Sequence, residues 1–417
     1  MRFSLTLLAM FTTTAFVRPA DFPPPHQLPS IPEFPDLLTL RDGTKINTQK
    51  EWEEKRRPEL KQLLETYMYG RYPAKPSRIA AKILFEDAHA LNGKGTLREV
   101  EITFGPDDWP KLYLLVAVPN GKTPAPCFVG ANFGGNHLLT THDKVRIPTV
   151  WVPDRYPGVV KNQATAQGRG QQADTWPLQS IIDNGYAVAT FYCGDIQPDR
   201  PFVREGMRAT LPEDSKDPSE TATIMWWAWG IHRAVDYLVT DKSIDAKRLA
   251  VVGHSRLGKT ALLAGAFDDR IAVIIPHQSG CGGAAPSRSQ NEKAETVKRI
   301  TTSFPHWFCG NFKLFGDDVT RLPFDQHALV ALCAPRPVLM TNAEEDQWAN
   351  PSGQFDVLRA AAPVYRLYGD SQPVAEKMPQ LNTLSASRLG YFIRPGKHSM
   401  TPADWKIYMQ FTDKWLK

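Results

Sequence analysis

The chain has 417 residues, 42% of them apolar, and carries a formal net charge of +5 from 49 Lys and Arg against 44 Asp and Glu. A chain of this size buries a large core, and although its length allows two or three domains, no Gly/Ser linker, repeat or low-complexity tract divides it. The charge is mild and dispersed, with no basic stripe interleaved with aromatics, which argues against a nucleic-acid partner.

Met1 to Ala15 has one basic residue, an apolar centre too short to span a bilayer, and small residues afterwards. This reads as a signal peptide within residues 1–20, cleaved between Ala15 and Ala20, so the protein is expected to be secreted or periplasmic with no membrane anchor. Residues 21–45 form a proline-rich segment expected to lie extended on the surface, and residues 46–417 a single domain. Thr48 to Met68 has helical spacing with acids at its start and Gly70 beyond its end. Strands are expected at Arg78–Phe85, Leu97–Phe104, Leu112–Val118 and Cys127–Ala131, the middle two alternating as a half-buried antiparallel edge would.

Beyond Asn136 strands and helices alternate: strands at Ala187–Phe191, Leu249–Val252, Ala272–Pro276, Val338–Thr341 and Tyr391–Arg394, helices at Thr223–Val239, Thr260–Phe267, Pro351–Ala362 and Pro402–Leu416. Such alternation predicts a mostly parallel sheet with helices on both faces. Two long stretches, His137–Pro177 and Gly280–Thr302, interrupt the pattern and are expected to wall a cleft at the carboxyl ends of the strands. The five cysteines include no C-x-x-C pair, so neither zinc nor a dithiol centre is suggested; Cys281 and Cys309 remain open to one disulfide.

The most informative segment is Leu249-Ala-Val-Val-Gly253-His254-Ser255-Arg256-Leu257-Gly258-Lys259. An apolar run stops at glycine, presents one serine and restarts as a helix, the pattern of a nucleophile elbow, although a serine N-cap would look the same locally. An antiparallel start feeding a parallel series with a central elbow serine is the α/β-hydrolase arrangement, a three-layer sandwich. A serine hydroxyl needs a histidine base, and that histidine an acid. Of the ten histidines only His398 lies where the base of this fold belongs, between the last strand and the C-terminal helix. His254 is read as packing. The backbone amide of Arg256 and the glycine-rich loop Gly130–Asn136 are candidate oxyanion donors.

The string Gly-His-Ser-Arg-Leu-Gly-Lys resembles the nucleophile motif of the glucuronoyl esterases, carbohydrate esterase family 15, and the resemblance runs from about Lys50 to the C terminus. It implies that the Arg256 side chain assists the oxyanion and that Lys259, Glu295 and Trp348 hold the sugar. Gln278 stands where the family commonly has the acid of the triad, and an amide cannot do that work; it is assigned to the substrate side. The resemblance offers a second location, Asn342-Ala-Glu344-Glu345-Asp346-Gln347-Trp348, where the Asp-x-Trp spacing favours Asp346, with Glu345 as the alternative. Ser303–Phe308 and Phe324–Leu329 also resemble family signatures and are assigned to packing and loop support.

The resemblance thus implies a serine esterase acting through Ser255, His398, Asp346 and Arg256 on glucuronate esters that join xylan to lignin alcohols. No cofactor or metal is expected, and the protein is expected to be a monomer. An acetylxylan-type carbohydrate esterase, or a uronate-binding protein on the same fold, remain the alternatives.

Overall fold

In a computed structural model, which describes residues 22–417 except 122–123, 202, 214 and 373, a nine-stranded sheet organises the chain. Its strands are β1 (Ile79–Asp87), β2 (Gly95–Phe104), β3 (Leu112–Pro119), β4 (Ala125–Asn132), β5 (Ala187–Tyr192), β6 (Ile244–His254), β7 (Val273–His277), β8 (Val338–Ala343) and β9 (Leu389–Arg394). The spatial order is β1-β2-β3-β5-β4-β6-β7-β8-β9. The first three strands pair antiparallel and β3 meets β5 antiparallel; from β5 to β9 every pairing is parallel. This is the α/β-hydrolase fold.

Strands β4, β5, β7 and β8 are buried at every position, as parallel strands covered on both faces must be. Alternate residues of β6 feed two separate cores: Leu249 and Val251 on one face, Ala250 and Val252 on the other. The first core is covered by α1 (Thr223–Leu238) and α2 (Arg256–Phe267), the second by α4 (Pro402–Leu416). In the second, Trp405 is fully buried, donates its indole N–H to Thr175 O at 2.8 Å and meets Phe128 edge-on. A chain that leaves β4 for β5 on one side and returns to β6 on the other creates a switch point at the carboxyl ends of β4 and β6, where ligands of open α/β sheets bind.

Several expectations are corrected. The exposed edge is β1, while β2 and β3 are largely buried because β5 and the helices cover them. Helix α3 (Pro351–Leu367) does not stop before Pro363 but runs through it, because burial of Val364 and Tyr365 offsets the lost hydrogen bond. All five cysteines are free and buried, so Cys281 and Cys309 form no disulfide. The helical run 49–69 starts at a Thr48 cap and contains two π-type turns, Trp52–Arg56 and Glu65–Tyr69. The proline-rich segment is more tightly attached than a surface strap: Leu28 and Leu37 enter the core, and Pro35 O accepts from His327 Nε2 at 2.8 Å. The signal peptide expected within residues 1–20 lies outside the described residues. Among the described residues no helix is long and apolar enough to cross a membrane.

Candidate active site

Strand β6 ends at His254, and Ser255 takes φ 58° and ψ −127° before α2 begins. A serine with positive φ is strained, and here the strain turns the chain sharply enough to present the hydroxyl at the strand's end. The turn is pinned by the Ser255 amide, which donates to His277 O at 2.9 Å. A Cβ on Gly253 would lie 2.1 Å from Leu257 O, and one on Gly258 would lie 2.9 Å from His277 O. The second close approach thus falls at position 258, and Leu257 is free to be a buried core residue. The Arg256 N–H opens α2, where first-turn amides have no acceptor in the helix.

Two backbone hydrogen bonds, Glu344 N to Arg394 O at 2.8 Å and Glu345 N to Gly396 O at 3.0 Å, lace the loop after β8 to the loop after β9. That pairing brings Asp346 Oδ2 to 2.6 Å from His398 Nδ1. The Asp346 side chain is 4% exposed and that of His398 42%, so the acid is buried behind a ring that opens outward. A carboxylate at this distance accepts from Nδ1–H, which leaves Nε2 able to take a proton. Glu345 is exposed.

Gln278, with φ 46°, is buried beneath this pair. Its Oε1 accepts from the Ser399 amide at 2.9 Å and from His254 Nε2 at 3.1 Å. One amide oxygen thereby joins the neighbour of the elbow serine to the neighbour of the base. His277 adds a second tie, donating from Nε2 to Ser399 O at 2.8 Å while Nδ1 accepts from Thr341 at 2.7 Å. Burial holds His254 well below the usual imidazole range, and the nearby His277 and His398 push it the same way, so it stays neutral. Its ring lies 4.5 Å from that of His398, centroid to centroid.

The Arg256 guanidinium is wedged among groups that sequence reading did not single out. Nε lies 2.7 Å from Asp199 Oδ2, Nη2 donates to Tyr156 at 3.2 Å, and the group sits 4.4 Å over the Phe133 ring. Asp199 Oδ1 accepts from His306 Nε2 at 2.9 Å and Trp307 Nε1 at 2.7 Å. Burial pushes the Asp199 carboxyl up, but Arg256, His306 and Trp307 outweigh it and hold the group down to about 2. His306 and Trp307 therefore position a charge and are not merely packing. The signal for Asp199 was a carboxylate a few residues past a fully buried strand at the sheet's carboxyl edge.

Ser255, His398, Asp346, Arg256, Lys259, Glu295, Trp348 and Gln278 all line one cavity of about 300 Å³. The Lys259 ammonium is buried, donates to Ser279 O and lies 4.0 Å from Glu295 Oε2. Burial lowers the Lys259 pKa, with Glu295 opposing, and raises that of Glu295, with Lys259 opposing. Trp348 is 44% exposed at the mouth, with Arg299 5.2 Å over its ring, and its carbonyl accepts from Glu295 N at 3.0 Å. An arrangement of hydroxyl, imidazole–carboxylate, fixed cation and a buried Lys–Glu pair suits attack on the carbonyl of a polar ester.

Residues 176–369 match the family model for fungal glucuronyl esterases. Carbohydrate esterase MZ0003, from an unknown prokaryotic organism, is 44% identical over 398 residues, spanning 92% of this chain and 90% of that protein. A solved promiscuous CE15 esterase from a marine bacterial metagenome superposes with a TM-score of 0.85 at 43% identity, covering 94% of this chain and 98% of that one. The glucuronoyl esterase from Solibacter usitatus superposes with a TM-score of 0.86 at 36% identity, covering 94% of this chain and all of that one (100%). The chain belongs to the glucuronoyl esterases, carbohydrate esterase family 15.

Proposed function

We propose that this protein is a serine carboxylic ester hydrolase that cleaves glucuronoyl and 4-O-methyl-glucuronoyl esters linking xylan to lignin alcohols. The observation that carries the reading is the His398–Asp346 pair opening onto the cavity that Ser255 shares with Lys259 and Glu295. The Ser255 hydroxyl attacks the C6 carbonyl while His398 Nε2 takes its proton, and Asp346 stabilises the imidazolium. Charge on the former carbonyl oxygen develops beside the Arg256 N–H and guanidinium, which Asp199 holds in place before substrate arrives. His398 returns the proton to the departing alcohol; water, deprotonated by the same ring, then cleaves the glucuronoyl-serine ester and regenerates the hydroxyl. Lys259 and Glu295 hydrogen-bond the sugar hydroxyls, and Trp348 stacks on a pyranose face.

The leader-like first 20 residues support secretion or a periplasmic location, where plant-wall fragments are encountered, and the protein acts as a monomer. The relative described as promiscuous supports a second reading, a broader carbohydrate esterase with the same triad. The test is to compare hydrolysis of methyl glucuronate, an acetylated xylo-oligosaccharide and p-nitrophenyl acetate, with Ser255→Ala as control. Preference for methyl glucuronate is expected. Equal or greater turnover of the acetyl esters supports the broader reading, and uronate binding without hydrolysis of any ester overturns both.

A further inference from the structure

A second cavity, of about 570 Å³, opens at the same edge of the sheet and plays no part in the chemistry above. It is lined by Trp109, Tyr113 and Trp151 together with Arg146, Asp195 and Glu205. Its volume falls within the roughly 300–1,000 Å³ of small-molecule sites. Asp195 lies on the short helix Cys193–Ile196 at the carboxyl end of β5, and Tyr113 near the start of the antiparallel β3. The elbow closes β6, and only β4 separates β6 from β5, so the strands beneath the two cavities are about 10 Å apart. The cavities share a wall: Pro198 lines the second, and Asp199, next in the chain, holds Arg256 in the first.

Asp195 is the informative residue. Its side chain is 3% exposed, and its buried Oδ1 has no hydrogen-bond partner; the nearest cation, Arg146 Nη1, stands off at 3.8 Å. Native folds rarely strand a buried carboxylate oxygen without a purpose. Burial pushes this carboxyl up to about 8, with buried Glu99 adding to the rise and Arg146 opposing it. Asp195 lines the cavity, so a ligand hydroxyl seated beside it would supply the partner that Oδ1 lacks. Arg146 is fixed by stacking 3.7 Å over Tyr113 and by donating to Thr149 at 2.9 Å. A ligand made only of aromatic rings would leave Asp195 and Arg146 desolvated without a new partner, while a purely polar one would leave the tryptophans without an apolar face to cover. A pyranose satisfies both, with C–H faces for indole rings and a girdle of hydroxyls for the charged groups.

We propose that this cavity is a second carbohydrate subsite, binding a neutral pyranose unit of the oligosaccharide whose ester is cleaved in the first. The ligand class rests on the glucuronoyl esterase reading, but binding to the cavity is measurable without turnover. The full-length Ser255→Ala protein is titrated calorimetrically with xylotetraose, which carries no uronate and no ester, and the titration is repeated with Trp151→Ala and Asp195→Asn added. Saturable binding weakened tenfold or more by either substitution is expected. In the active enzyme, each substitution should raise KM for an esterified glucuronoxylo-oligosaccharide while kcat on methyl glucuronate stays within twofold, which also reports that the variant has folded. Absence of xylotetraose binding, binding indifferent to both substitutions, or displacement of xylotetraose by coniferyl alcohol overturns the subsite. Failure of the wild type on methyl glucuronate would instead strike at the esterase reading.

Discussion

The Ser399 amide donates to the side-chain oxygen of Gln278 at 2.9 Å, and the same oxygen accepts from His254 Nε2. The residues that donate these bonds are chain neighbours of His398 and of Ser255, so Gln278 ties the two loops that carry them together. Gln278→Ala leaves two partly buried N–H donors without their acceptor, each costing up to about 1–3 kcal/mol. We expect lower unfolding stability and a kcat at least tenfold lower with KM little changed. Wild-type kcat in a folded Gln278→Ala protein would show that the tie is dispensable.

Asp346→Asn should keep the shape of the loop but allow the wrong tautomer of His398, lowering kcat by about a thousandfold to ten-thousandfold. Glu345→Ala removes an exposed side chain from the same loop and should leave kcat within twofold. Steady-state rates on methyl glucuronate separate the two, and a larger loss at Glu345 would reassign the acid.

Asp199 is held at about 2 against an ordinary 3.8. Because the folded state lowers this carboxyl, its contribution is fully present above the unfolded value and is lost as pH falls through 3.8 towards 2. The shift corresponds to about 2 kcal/mol. Denaturant unfolding of wild type and Asp199→Asn should differ most at pH 6 and converge as pH approaches 2. Asp199→Asn should also reduce kcat by at least tenfold, since Arg256 loses its anchor; a stability gap that is the same at both pH values would contradict the assignment.

Burial lowers both His232 and His277 to about 4. Below 6.5 the unfolded chain takes up protons that the folded chain refuses until about pH 4, so stability falls with pH across that window, by up to about 3 kcal/mol per group. Melting temperature followed from pH 7 to pH 4 should decline steadily, and a flat profile would argue against neutral buried rings. Since His277 also holds Ser399 O, loss of activity should accompany the decline.

Trp348→Ala removes a half-exposed ring from the cavity mouth, and Lys259→Met removes the buried ammonium. Both should raise KM for methyl glucuronate tenfold or more while changing kcat/KM for p-nitrophenyl acetate less than threefold. Parallel losses on the two substrates would mean that these residues serve the fold or the chemistry and not the sugar.

The β/α alternation, the elbow and the separation of Ser255 from His398 were legible because they follow from local patterns: apolar runs of strand length, a glycine that admits a close carbonyl, a histidine after the last strand. Boundaries moved where packing overrode local preference, as when α3 continued through Pro363. The Asn342–Trp348 loop showed its acids, and the Asp-x-Trp spacing favoured Asp346 over Glu345 by resemblance, but chain order did not say which one faces inward. That was decided by the hydrogen bonds from Glu344 and Glu345 to the loop after β9, which turn Asp346 under His398. Asp199 and its link to Arg256, His306 and Trp307 were invisible for a related reason, since His306 lies 107 residues from the carboxylate it touches.

The sequence by itself determined that a strained serine would stand at the end of a central strand and that a histidine far downstream would be available to it, because both depend on backbone conformations that neighbouring residues dictate. Only the tertiary structure decided which carboxylate is buried against that histidine, what holds Arg256, and that Gln278 ties the two loops together. Those outcomes depend on which distant groups lose water together, and chain order carries no record of that.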